Sequence, residues 1–206
     1  MRLPARIVGL VSVLALLVFA RTSNATPISY DEGISGDLGA TTPYTSFTLD
    51  AGANTVKGTT QFIPLGAGAD FDAFAVVIPV GMHLTGATYT FGVSLVPTTT
   101  TAQAQYSLRT GNPPVGAPLA SATIDFLGST TVNPFSSALP LGPGTFAVEE
   151  SAVTATTAGG FTTNYTWTFT VAADQSAAVP EPASLCLFGT GLAATWMRRR
   201  RSKPTN

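Results

Sequence analysis

The side chains of this chain best suited to chemistry are carboxylates. Asp31, Glu32 and Asp37 cluster near the start, and Asp70 and Asp72 stand two apart further on. Hard carboxylate oxygens together with loop carbonyls are the ligands Ca²⁺ takes. Calcium is therefore the one metal the donors suit, with Asp31, Asp37, Asp70 and Asp72 as candidate ligands. The spacing is not that of an EF-hand loop, and the same acids can equally cap turns or line the rim of a core. Read as a general-acid and nucleophile pair, they would instead belong to a secreted hydrolase acting on carbohydrate. Other chemistries lack their parts. The single histidine, His83, follows the turn Pro79-Val80-Gly81, and no serine stands in a G-x-S-x-G elbow, so a Ser/His/Asp centre is not expected. The single cysteine, Cys186, lies in a C-terminal apolar stretch, which removes a cysteine nucleophile and a His/Cys zinc site together. Gly66-Ala67-Gly68-Ala69-Asp70 is glycine-rich but has no lysine and no helix after it, and reads as a turn.

Charge is unevenly placed. Arg2, Arg6, Arg21, Arg198, Arg199, Arg200, Arg201 and Lys203 all lie in the two ends, and only Lys57 and Arg109 fall between them. Against those two stand ten carboxylates over residues 26–176, a net of −8 for the middle of the chain. Nucleic-acid binding needs a basic footprint and is excluded on that count. With Cys186 in the tail, the middle has no disulfide and must hold itself together with a packed core. About 150 residues suffice for one such core.

Those residues must be positioned by strands. The middle is rich in Thr, Gly, Ser and Pro and poor in Lys and Glu, which disfavours helix. Short apolar or alternating runs recur between Gly and Pro at 44–49, 54–62, 72–78, 84–96, 103–110, 119–127, 145–153 and 161–172. In the last, Tyr165, Trp167, Phe169 and Val171 share one face and threonines the other, the period of a half-buried strand. The expectation is an all-β fold: a single antiparallel β-sandwich, jelly-roll-like, of about eight strands. Trp167, Tyr165, Tyr89, Phe91 and Tyr106 could make a sugar-stacking platform, but strand parity favours the core for them. Parity also puts Asp70 and Asp72 on the face of Phe74, Val76 and Ile78, at the edge of that core.

The stretch from Ser35-Gly36-Asp37-Leu38 through Asp70-Phe71-Asp72-Ala73-Phe74 to Pro79-Val80-Gly81 resembles the bacterial pre-peptidase C-terminal type of β-sandwich. Those domains often carry a D-x-D-x-F strand running into a P-x-G turn. The likeness covers about residues 30–96, and Val76 stands where an aromatic is frequent. It implies an accessory domain without catalytic residues.

The ends are targeting segments. Arg2 and Arg6 precede an apolar stretch at 7–20, and Ser23-Asn24-Ala25 offers small residues for a cut between Ala25 and Thr26. Residues 1–25 thus read as a signal peptide. At the other end, within residues 177–206, Val179-Pro180-Glu181-Pro182 precedes an apolar run at 183–197 and the basic stop Arg198, Arg199, Arg200, Arg201. The run reads as a transmembrane helix, and the arginines place the tail at 198–206 in the cytoplasm. The prolines keep Val179 and Glu181 extended, as a protease needs. In order and composition this tail resembles the PEP-CTERM signal. The resemblance implies an exosortase-type membrane protease as partner, with Glu181 as a recognition carboxylate. It further implies a brief stay in the inner membrane of a Gram-negative cell, then delivery to the envelope surface or extracellular matrix. It links the protein to exopolysaccharide and biofilm, as a non-enzymatic structural or adhesive component. The alternative is a secreted carbohydrate-active hydrolase or a calcium-dependent carbohydrate-binding module.

Overall fold

The computed structural model describes residues 26–62, 69–96, 99–128, 130–155 and 160–174. The predicted signal peptide, the motif at 179–182, Cys186, the apolar run at 183–197 and the arginines at 198–201 lie outside the described residues. Among the described residues no helix is long and apolar enough to cross a membrane.

Eleven strands and one helical turn make up nearly all regular structure among the described residues. They run β1 (Ser29–Asp31), α1 (Glu32–Ser35), β2 (Thr45–Thr48), β3 (Gly52–Phe62), β4 (Ala69–Asp70), β5 (Ala73–Ile78) and β6 (Met82–Leu95). There follow β7 (Ala102–Thr110), β8 (Val115–Asp125), β9 (Thr131–Val132), β10 (Gly144–Ala155) and β11 (Phe161–Ala173). Each of the eight sequence runs becomes a strand of four residues or more. The three additional strands, β1, β4 and β9, are two or three residues long, too short to show a period.

One sheet has the order β1-β3-β11-β6-β9, with β4 on β3, and the other the order β2-β5-β10-β7-β8. The sheets are mixed, which corrects the expectation of a purely antiparallel sandwich. β1 runs parallel to β3, and β2 parallel to β5. A parallel pair needs a crossover, and here the chain supplies it by visiting the opposite sheet between partners.

The core lies between the sheets. Trp167 of β11 is its centre, stacked on Phe135 at 5.2 Å and on Phe169 at 5.7 Å, with Tyr89 at 4.7 Å and Tyr106 of the facing sheet at 5.6 Å. Phe74 reaches across from β5 to Phe169 at 6.0 Å. Tyr89, Phe91, Tyr106, Tyr165 and Trp167 are all buried, so these aromatics form no exposed stacking platform. Their alternation with outward threonines is what sets the register of β11 against β3 and β6.

A neutral polar group is buried among them. Asn54 is 0 % exposed. Its Oδ1 accepts the N–H groups of Ile28 and Asp50, both at 3.0 Å, and its Nδ2 donates to the Asp50 carbonyl at 2.8 Å and the Gly52 carbonyl at 3.3 Å. One side chain thus ties the chain entry to the β2–β3 turn, where Gly52 adopts φ 108°.

Candidate functional site

The carboxylates gather on the side of the sandwich between β3 and β5, under the segment at 31–39. Local rules shape that segment. Asp31, extended at φ −135°, caps α1 by accepting the Gly33 N–H at 3.1 Å. Gly36, at φ 106°, ends the turn, and its N–H returns to the Glu32 carbonyl at 3.0 Å. Tyr30 donates its hydroxyl to the Gly36 carbonyl and packs on Phe47 at 4.8 Å. Leu38, 1 % exposed, then plugs the segment into the core, and its carbonyl accepts the Ala73 N–H at 3.3 Å. A bridge between Gly39 and Asp72 completes the seam.

This seam brings Glu32, Asp37 and Asp72 together, with one carboxylate oxygen from each within 4.8 Å of the others. Glu32 is fixed by two backbone donors: Leu38 N–H to Oε1 at 2.8 Å and Thr59 N–H to Oε2 at 2.7 Å. Asp72 is 4 % exposed; Tyr165 donates its hydroxyl to Oδ2 at 2.7 Å, while Oδ1 has no donor. Behind it, Glu150 is 9 % exposed, its backbone N–H bonds the Asp72 carbonyl at 3.3 Å, and its Oε2 has no donor. Gly58 makes the arrangement possible. A Cβ there would stand 2.3 Å from the Tyr165 hydroxyl and 2.7 Å from Glu32 Oε2, closer than real atoms come.

So much negative potential in so little water moves Asp72, Glu150, Glu32 and Asp70 one way. Burial, opposed by the Tyr165 hydrogen bond and reinforced by Glu32, Asp70 and Asp37, pushes Asp72 up to about 7. Burial, reinforced by Asp72, pushes Glu150 up to about 8. Glu32 and Asp70 are raised too, chiefly by burial. The Tyr165, Tyr89 and Tyr106 phenols are pushed far above their ordinary range, chiefly by burial, with the nearby carboxylates adding to it. Among the described residues no cation offsets the cluster. Lys57 stands on the outward face of β3, and Arg109 is taken by Glu149 at 2.8 Å and by the Gly116 carbonyl at 2.7 Å.

The predicted ligands are thus only partly brought together. Asp37 and Asp72 meet; Asp31 spends its carboxylate on the α1 cap. Asp70 is exposed in β4, paired with Gln61, while Asp72 is buried beside β5. The parity reading of those two fails because the chain crosses from one sheet to the other at Phe71. Glu32, Tyr165, Gly58 and Glu150 complete the site. Of these, Glu32 stands in the acidic cluster with Asp31 and Asp37, and Glu150 carried a signal of another kind: it shares the parity of Phe146 and Val148, an acid on an apolar face.

His83 stands at the start of β6, half-exposed, with Nδ1 2.9 Å from Asp174 Oδ1. A cleft of about 370 Å³ is lined by Ala40, Tyr44, Ala73, Arg109, Glu149 and Glu150 among others, so it adjoins the acidic cluster through Glu150. In it Tyr44 donates to Glu149 Oε1 at 2.7 Å.

No curated protein matches the chain. The likeness of residues 30–96 to pre-peptidase C-terminal-type sandwiches rests on the residues quoted for it. At the C-terminus the comparison is positive. Residues 178–201 match the family model described as the PEP-CTERM protein-sorting motif, so the chain carries the tail of a protein processed by exosortase, a membrane protein, and sorted to the cell surface.

Proposed function

We propose that the protein is a non-enzymatic component of the envelope surface or extracellular matrix of a Gram-negative cell, associated with exopolysaccharide and released from the inner membrane by cleavage near Pro180-Glu181-Pro182. The observation that carries this reading is the sorting motif at 178–201. The strand order β3-β11-β6-β9 against β5-β10-β7-β8 is that of a jelly roll, with β1, β2 and β4 added, an architecture common in lectins and capsids. The absence of a catalytic role draws support from the most buried acid: Asp72, raised toward neutrality, is 4 % exposed. The hydrolase alternative needs two close carboxylates in an open groove. The cleft is lined by both Glu149 and Glu150, but Glu149 is ion-paired to Arg109 and Glu150 is 9 % exposed.

The test is the mass and cellular fraction of the protein in its host, wild type beside Glu181→Ala. The wild type is expected to lose the segment beyond the motif and to reach the surface or medium, with the variant retained in the inner membrane at full mass. Full-mass wild type in the membrane would reduce the tail to an anchor and remove the matrix reading.

A further inference from the structure

We propose that Glu32, Asp37 and Asp72 bind a calcium ion, which fastens the segment at 31–39 across the side of the sandwich. The three carboxylate oxygens lie within 4.8 Å of one another. Calcium–oxygen bonds run about 2.3–2.6 Å, so ligands on opposite sides of one ion stand about 4.6–5.2 Å apart. Three ligands evenly spaced about one ion stand roughly 4.0–4.5 Å apart, so shifts of a few tenths of an ångström at most bring all three onto a single ion.

Geometry alone would not distinguish this cluster from acids that water solvates. Asp72 makes the distinction. It is 4 % exposed, it turns a carboxylate oxygen into the cluster, and its Oδ1 has no donor. Glu150 repeats the deficit directly behind it, at 9 % exposed with Oε2 unpartnered. A buried carboxylate needs a cation or a set of donors, and among the described basic side chains none faces this one. Lys57 is exposed on the other face of β3, Arg109 is held by Glu149, and His83 by Asp174. The donors are oxygens throughout, without nitrogen or sulfur, which selects a hard cation over zinc or copper. They also come from parts of the chain that meet only when folded: α1, its following loop and the lead into β5. An ion held there binds the native state and not the unfolded chain, and so raises stability with its own concentration.

The full-length chain in detergent, stripped with EGTA, tests this. Equilibrium dialysis against calcium should show one ion bound per chain, and the thermal midpoint should climb with free calcium. Magnesium at equal ionic strength should give a smaller rise, because it demands tighter octahedral geometry. Asp37→Asn changes an exposed carboxylate and leaves the buried ones in place. It should weaken calcium binding by roughly tenfold or more, through loss of ligand charge, with the metal-free midpoint little changed. Asp125→Asn, at the end of β8, should bind as the wild type does. No saturable uptake at millimolar calcium overturns the proposal. So does uptake that Asp37→Asn leaves unaltered.

Discussion

Asn54 and Asp72 are buried almost equally, at 0 % and 4 % exposed, and the sandwich treats them in opposite ways. Every polar atom of the Asn54 amide has partners, most of them backbone groups of its own turn. Asp72 has one partner, a phenol, and keeps an oxygen without a donor. The first is a neutral group whose surroundings were built around it. The second is a charged group whose surroundings are more acids. A satisfied network fixes one structure, while a partly satisfied one stores an unmet demand. Buried polarity therefore marks architecture near β2–β3 and a ligand site beneath α1.

The comparison breaks most readily at Asn54. Asn54→Ala strands the N–H groups of Ile28 and Asp50 and the Asp50 carbonyl together. At about 1 kcal/mol or more for each group left without its bond, the loss should be about 3 kcal/mol, read from the urea midpoint. A loss under about 1 kcal/mol would mean that water replaces the amide and that the knot is not structural. Gly58→Ala comes next. Its Cβ must displace Tyr165 or Glu32, for about 2 kcal/mol of overpacking, and calcium should no longer raise the thermal midpoint as it does in the wild type. Glu150→Gln should act in the other direction. It removes an unpartnered buried acid and brings an amide donor toward Asp72, for a gain of about 1 kcal/mol in metal-free protein. A clear loss instead would show that Glu150 has a partner, and the contrast with Asn54 would fade.

The smallest effect sharpens the contrast from a third place. Tyr44 is pushed up to about 12 by burial first, then by its hydrogen bond to Glu149. A raised folded-state value means a stabilising contribution intact below pH 10 and lost as pH climbs through about 12. Absorbance of the phenolate, wild type minus Tyr44→Phe, should rise near that pH, and Glu149→Gln should move the rise downward. An unmoved titration would leave burial as the sole cause.

Much of the scaffold was legible in the chain because the physics there is periodic. The alternation of Tyr165, Trp167, Phe169 and Val171 with threonines announced β11, and all eight runs of this kind formed strands. Pairing direction was not legible. β1 and β2 lie parallel to their neighbours because of where the chain travels in between, which no local pattern records. The site was half visible. Asp37 and Asp72 stand out as acids near turns, but Asp31 and Asp70 look the same in sequence. What separates them is a cap at one and a change of sheet at the other. Glu150 was readable from parity, and the missing donor at Asp72 only from coordinates.

β11 is the last strand in sequence among the described residues, yet it lies in the middle of its sheet between β3 and β6. It also contributes Trp167 and Tyr165, the centre of the core and the phenol above Asp72. A chain that emerges N-terminus first cannot close this sheet until Ala173 has passed, and the sorting motif begins five residues later. Such long-range pairing is slow to form in any case. Closure of the sheet therefore waits for the strand made just before the sorting motif.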